Sequence, residues 1–211
     1  NIPVAGLELS WGTCCRPVAT NLVTTDFSLR AIMYPSGSGT SCNNNSPRFL
    51  EEPLVRACTG EPTQYNLSAT DVDNDSLFAK LAAPIGQFGA NVVFATGYSA
   101  TNPFPDTNKN SSNSPLIVNS SNGAMSFESH TNGLFITAYE IEEWRQGVLI
   151  GRVFRDAVTI IAPCVMPTGV CPQGGNWSPN FNLNSDTSNF PNTPLVNALG
   201  SNNGVLEYHV K

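Results

Sequence analysis

The chain has 211 residues, of which 12% are charged, and a net charge of -6 at pH 7. This acidic balance, with only 10 Lys and Arg residues, argues against nucleic-acid binding, which requires clustered positive charge. No apolar run approaches the roughly 18 residues that a membrane-spanning helix needs, so we expect no membrane span.

Short β-strands are predicted along the whole chain. No helical period persists for three turns, and the 16 prolines and 17 glycines are spread throughout, which favours turns over helices. Apolar and polar residues alternate with the two-residue period of a strand. The candidate strands lie at 5–11, 27–34, 63–69, 76–81, 91–98, 115–118 and 124–129. This pattern predicts an all-β sandwich.

The acidic stretch DVDNDS follows the third candidate strand. Asp71, Asp73 and Asp75 stand at alternate positions, and carboxylates so spaced can converge on calcium when the backbone bends. The EF-hand pattern fails, because its sixth position is Ser76 instead of Gly and its twelfth is Ala82 instead of Glu. The alternative is a solvated turn, since Asp and Asn favour turns without any metal.

The strongest predicted feature is a β-hairpin. Two long apolar-rich runs, 133–144 and 147–162, flank a short turn that contains Gly147. The first run carries Glu140, Glu142 and Glu143. These glutamates could suggest a glycosidase pair, but on a strand Glu140 and Glu142 share one face and Glu143 takes the other. We therefore interpret them as acidic residues on the solvent side of the hairpin.

Composition changes near Pro163. We therefore predict a β-sandwich domain over residues 1–164 and an irregular Asn/Pro/Ser/Gly-rich extension over residues 165–211. The extension ends in VLEYHVK, which alternates like a strand.

An even set of cysteines predicts disulfides and an oxidising compartment. The six are Cys14, Cys15, Cys42, Cys58, Cys164 and Cys171. Cys164 and Cys171 bracket a short loop and could pair locally. Adjacent Cys14 and Cys15 rarely bond each other, so we expect them to reach separately to Cys42 and Cys58.

Asn-x-Ser/Thr triplets mark candidate N-glycosylation positions if the host attaches such glycans. They begin at Asn44, Asn66, Asn74, Asn110, Asn119 and Asn176. Enzyme chemistry is poorly supported, because His130 lies in a turn-like segment and His209 lies near the end of the sequence. We interpret both as surface histidines.

Several segments, taken in order, resemble a family of large secreted bacterial cell-surface proteins. These segments are SWGTCCRPVATNL, CNNNSPRF, YNLSATDVDNDSLFAKL, GYSATNPF and EEWRQGVLIGRVFRDAVTIIAPC. Many family members use type IX secretion and carry immunoglobulin-like or PKD-like domains with a gliding-motility-associated C-terminal sorting region. The resemblance covers roughly residues 7 to 164 and implies an immunoglobulin-like or cadherin-like β-sandwich at the cell surface.

The resemblance also implies calcium on Asp71, Asp73 and Asp75, by analogy with cadherin-like loops, and an O-linked sugar on Ser76 of its Asp-Ser-Leu triplet. Asn74 stands where the family usually has Gly, and Asn tolerates left-handed backbone geometry. The sorting region does not occur in these 211 residues, so we expect a processed or partial product.

We therefore expect a non-enzymatic extracellular structural or adhesive protein, a glycoprotein with a calcium-binding loop. One extension of this hypothesis is a surface filament, whose copies join to one another or to other surface proteins by exchange of terminal strands. The alternative is a carbohydrate-binding module of a larger secreted protein, with Trp11, Trp144 and Trp177 as candidate contacts for glycans.

Overall fold

The protein is an all-β sandwich, as predicted. A computed structural model of the chain describes residues 6–35 and 44–164, which fall in the compact unit Asn1–Cys164. The immunoglobulin-like subtype stays a prediction. The extension at 165–211, with Cys171, Asn176, Trp177 and His209, lies outside the described residues, as does Cys42.

Eleven strands and one short 3₁₀ turn at Gln87–Gly89 make up the described elements. The strands are β1 (Leu7–Cys14), β2 (Asp26–Met33), β3 (Arg48–Phe49), β4 (Leu54–Cys58), β5 (Thr63–Asn66), β6 (Ala69–Thr70), β7 (Ser76–Ala82), β8 (Ser114–Val118), β9 (Ala124–Glu128), β10 (Gly133–Arg145) and β11 (Val148–Ala162). No helix in the described part of the chain is long and apolar enough to cross a membrane.

A six-stranded sheet forms the larger layer. Its order is β1-β2-β11-β10-β7, and β4 pairs in parallel with the end of β11. The smaller layer contains the sheet β5-β9-β8, and β3 pairs with β6. The core lies between the layers, where Tyr139 and Ile141 of β10 pack with Met125 and Phe127 of β9.

The predicted hairpin is confirmed as β10 and β11. Their turn consists of Gln146 and Gly147, which both have positive φ, 51° and 78°. This combination is typical of the two-residue turns that match strand twist. A register shift between Glu143 and Trp144 marks a β-bulge just before the turn.

The candidate strand at 91–98 is not a strand. Asn91 and Phe94 form only isolated bridges, with Ile85 and Leu22. The alternation of apolar residues predicted a strand here, but a strand also needs a neighbouring strand that pairs with it continuously, and this segment has only single bridges.

Buried Arg16 connects distant parts of the fold. Its Nε lies 2.6 Å from Asp156 Oδ2 of β11, and its Nη2 donates to Ile85 O at 2.8 Å. It also donates to Asp26 O at the start of β2. This ion pair thus joins two segments that lie far apart in the sequence, CCR at 14–16 and RD at 155–156.

Candidate functional sites

The acidic loop between β6 and β7 winds around Asp71. Oδ1 of Asp71 accepts hydrogen bonds from the backbone N–H of Asp73 at 2.8 Å and of Asp75 at 3.1 Å. Asn74 has a φ of 62°, which is a left-handed backbone geometry that Asn tolerates better than most residues. The loop is therefore a tight turn organised by its own first carboxylate.

Asp73 makes its hydrogen bonds outside this turn. It accepts a hydrogen bond from the backbone N–H of Asn45 at 2.7 Å and lies 3.5 Å from Arg145. The hydrogen bond from the Asn45 N–H lowers the pKa of Asp73 below its usual value. Arg145 makes its shorter contacts with Asp75, from Nε to Oδ1 at 2.7 Å and from Nη2 to Oδ2 at 2.5 Å.

The third carboxylate beside Asp71 and Asp75 belongs to Glu143, not Asp73. One oxygen from each of Asp71, Asp75 and Glu143 lies within 4.8 Å of the others. Glu143 is only 1% exposed, because it occupies the same face of β10 as Ile141, which points into the core. The structure thus brings together two of the three predicted ligands and adds one from the hairpin.

The charge of Glu143 is poorly compensated. Burial raises the pKa of Glu143 to about 7, and the charges of Asp71 and Asp75 add to this effect, while a hydrogen bond with Asn44 opposes it. The sequence indicates that Glu143 faces inward, because Tyr139, Ile141 and Glu143 stand at alternate positions of β10 and therefore share one face, and the first two are core residues.

The expectation that all three hairpin glutamates face solvent is wrong. Glu140 is 7% exposed, and it lies with Glu142 on the face opposite the core. Lys80 Nζ lies 3.0 Å from Glu140 and 2.7 Å from Glu142, and Arg152 contacts both at 3.2 Å. Glu140 and Glu142 therefore have a structural role in ion pairs across β7, β10 and β11, and Glu143 is not part of them.

A second feature is the edge strand β1. Among the described residues β1 pairs only with β2. Leu7, Leu9 and Trp11 share one face and are 42%, 55% and 60% exposed. Trp11 packs edge-on against Phe27 at a centroid distance of 5.9 Å. The main core cluster of the described residues contains no member of β1 or β2, so this contact lies outside the core.

A groove of about 590 Å³ runs along the other edge of the large sheet, beside Trp144. Phe78, which is 45% exposed, lines it together with Lys80 and Glu142. The Trp144 Nε1–H donates to Glu142 at 3.3 Å.

His130, the predicted surface histidine, is exposed, and its Nε2 lies 2.9 Å from Oε1 of Glu128.

The candidate glycan positions in the described part differ in exposure. Ser76, Asn66, Asn74 and Asn119 are exposed, and Asn44 and Asn110 are partly buried. The Asn44 side chain accepts a hydrogen bond from Arg145 at 2.7 Å, whereas Ser76 opens β7 opposite Trp144. Ser76 is therefore sterically available to a sugar, and its attachment stays a prediction.

The cysteines pair differently from the expectation. Cys58 bonds Cys164, so it does not pair with Cys14 or Cys15, and Cys164 does not pair locally with Cys171. The reason is that β4 runs parallel to β11 and places Cys58 opposite Ala162. The other disulfide joins Cys14 to Cys15, the adjacent pair that we expected to bond elsewhere. With Cys58 held by Cys164, these two are the remaining partners among the described cysteines.

Comparisons with protein-family models, curated proteins and solved structures find no match for this chain. Two features of the described residues bear on function, the acidic cluster around Asp71 and the exposed sheet edge of β1.

Proposed function

We propose that this protein is a non-enzymatic, extracellular structural or adhesive module that joins a second copy of itself along the outer edge of β1, which pairs with no further strand among the described residues. The observation that carries the proposal is the apolar row Leu7, Leu9 and Trp11 on an edge strand. Solvent-exposed rows of this kind on a sheet edge are typical docking sites for another strand.

The edge lacks the usual protection against such pairing. Edge strands are normally blunted by Lys, Pro or a bulge, but β1 has the sequence LELSWGTC and carries Glu8 as its only charged residue. Its eight residues pair with β2 in continuous register from Leu7↔Met33 to Cys14↔Asp26. The opposite edge of β1 therefore offers a regular row of backbone donors and acceptors.

The occupant that we propose is the segment of residues 205–211 of a second copy. Its sequence VLEYHVK places Leu206, Tyr208 and Val210 at alternate positions, so one face of an extended strand would be apolar. Backbone hydrogen bonds would supply affinity and the alternating side chains specificity. Repetition of one head-to-tail contact builds a filament.

The Cys58–Cys164 disulfide supports an extracellular location, since such bonds persist in oxidising compartments. The surface-filament interpretation and the type IX route rest on the family resemblance of residues 7 to 164.

Two blocked variants of the full chain test the assembly. Leu9→Lys places a charge on the acceptor edge, and Tyr208→Asp places one on the donor strand. Light scattering after size exclusion should show oligomers for the unchanged protein and monomers for each variant. A mixture of the two variants should form dimers only, because one intact donor and one intact acceptor remain.

Ile117→Lys is the matched control, since Ile117 is 62% exposed on β8 of the smaller sheet, and it should leave assembly unchanged. Monomers of the unchanged protein at high concentration would refute the proposal. A third outcome would also refute it. If the unchanged protein is monomeric, Leu9→Lys lowers its melting temperature and the mixture forms no dimers, then the β1 edge is covered by a segment of the same chain.

A carbohydrate-binding role is the second candidate, favoured by the groove beside Trp144. An exposed aromatic ring, Phe78, next to charged Lys80 and Glu142 combines a stacking surface with hydrogen-bonding groups. Loss of glycan-array binding in Phe78→Ala, with binding kept in Leu9→Lys, would support this role instead of strand exchange.

A further inference from the structure

We propose that Asp71, Asp75 and Glu143 bind a calcium ion that joins the acidic loop to the β10–β11 hairpin. This site is independent of the proposed assembly edge. It replaces Asp73 of the sequence-based ligand set with Glu143, a residue that lies about 70 positions further along the chain. Asp73 becomes a neighbour of the site instead of a ligand.

The three carboxylates lie close enough together to share one ion. One carboxylate oxygen from each of the three residues lies within 4.8 Å of the others. An ion at 2.3–2.6 Å from each oxygen requires separations of roughly 5 Å or less. The three side chains therefore converge to the distance that a shared calcium ion needs.

Independently of this clustering, two of the carboxylates have buried oxygens that lack hydrogen-bond partners. Glu143 is 1% exposed, and its Oε1 has no hydrogen-bond partner. Oδ2 of Asp71 is also buried and without a partner, whereas Oδ1 of Asp71 is held by two backbone N–H groups. Buried carboxylate oxygens without donors are costly, and a cation between them removes that cost.

Carboxylates outnumber cationic side chains in this cluster. Asp71, Asp73, Asp75 and Glu143 supply four carboxylates, whereas Arg145 supplies one guanidinium, which pairs with Asp75 and approaches Asp73. The two hydrogen bonds that hold Asp71 Oδ1 come from backbone N–H groups, which carry no net charge. A divalent ion would offset the excess negative charge on the buried side of the cluster.

The donor set selects the type of ion. All three side-chain ligands are carboxylates, which suit calcium or magnesium and not the soft ions that His and Cys bind. Calcium accepts irregular sets of six to eight oxygens, including backbone carbonyls and water, and magnesium demands a near-ideal octahedron. A loop and a bulged hairpin, which together supply three carboxylates, fit the more tolerant ion.

Calcium titration of the full chain, after removal of metals with a chelator, tests the site. Calorimetry should give a dissociation constant in the range of roughly 10⁻⁴ to 10⁻³ M of extracellular modules, and the melting temperature should rise with added calcium chloride. Glu143→Gln keeps the shape of the side chain and should weaken binding by about tenfold or more, because ligand charge sets affinity. Asp71→Asn should do the same.

Asp73→Asn is the matched control, since it removes one charge from the same loop. It should keep at least roughly a third of the calcium affinity, because a charge outside the ligand set acts on the ion only at longer range. Circular dichroism checks that each variant is folded. No calcium response of the unchanged protein up to roughly 10 mM, well above the extracellular range, would overturn the proposal. Equal losses in Asp73→Asn and Glu143→Gln would overturn the assignment of Glu143 and restore the sequence-based set.

The calcium site and the β1 edge can fail separately. Calcium binding by a protein that stays monomeric would support this site and refute the β1 edge. Oligomers of a protein that binds no calcium would refute this site and leave the β1 edge standing. A response to magnesium chloride equal to that to calcium chloride would overturn the choice of ion.

Discussion

Glu143 and Gly151 face each other across the β10–β11 hairpin, and the glycine makes room for the carboxylate. A Cβ added at Gly151 would lie 2.5 Å from Glu143 Oε2, which is closer than nonbonded atoms allow. We predict that Gly151→Ala displaces the Glu143 carboxylate from Asp71 and Asp75 and weakens calcium binding. Calorimetry of calcium binding measures the effect.

A double-mutant cycle isolates the cause. Because both changes act on the same carboxylate, Gly151→Ala and Glu143→Gln combined should weaken calcium binding no more than Glu143→Gln alone. Additive losses would mean that Gly151 affects the site by another route.

The Cys58–Cys164 disulfide should contribute strongly to stability. It closes a loop across a sequence separation of 106 residues, and long loops restrict the unfolded chain most. We predict that the double variant Cys58→Ala/Cys164→Ala loses about 2–4 kcal/mol of unfolding free energy, measured by urea denaturation without reductant.

Cys14→Ala/Cys15→Ala is the natural comparison, because a bond between neighbours closes almost no loop. It should cost clearly less. Equal losses in the two double variants would contradict the loop-entropy explanation.

The buried Arg16–Asp156 ion pair should be costly to break from one side. Its side chains are only 3% and 12% exposed, and removal of one partner leaves the other buried without its counter-charge. We predict that Arg16→Met costs about 3–5 kcal/mol of unfolding free energy, measured by urea denaturation.

The double variant Arg16→Met/Asp156→Leu should recover part of that loss, because it removes both charges together. A double variant whose loss equals the sum of the two single losses would show that the partners do not interact.

Much of the fold could be predicted from local patterns. The hairpin of β10 and β11 is indicated by two long apolar-rich runs around Gly147, and the period of β1, β2 and β7 is visible in their alternation. Features that depend on distant partners could not be predicted in this way. The parallel pairing of β4 with β11 fixes the partner of Cys58, and no local pattern around Cys58 encodes it.

The candidate cation site shows the same division. The spacing of Asp71 and Asp75 indicated a cluster, and the left-handed Asn74 agrees with the turn expected there. The acidic character of Glu143 predicts a solvent-facing side chain, because acidic residues usually face water. Its parity with the core residues Tyr139 and Ile141 indicates the inward face, but the sequence does not show that Asp71 and Asp75 lie beside it there.

Glu142 and Lys80 should make stability depend on pH at the acid end. Partial burial opposes ionisation of Glu142, but the hydrogen bond from Lys80 and the charges of Lys80 and Arg152 together lower the pKa of Glu142 below 4.5. A lowered pKa means that the folded state holds the proton less tightly than the unfolded chain does. The stability that this group contributes is therefore present above pH 4.5 and is lost as the pH falls through the folded-state pKa.

We predict that Glu142→Gln lowers the melting temperature at pH 7 and flattens its decline between pH 4.5 and more acidic conditions. Thermal melts over that range, without calcium, measure both effects. Glu61→Gln, at an exposed turn position, is the control and should keep the decline of the unchanged protein. If the melting temperature of Glu142→Gln falls with pH as steeply as that of the unchanged protein, other carboxylates cause the acid sensitivity.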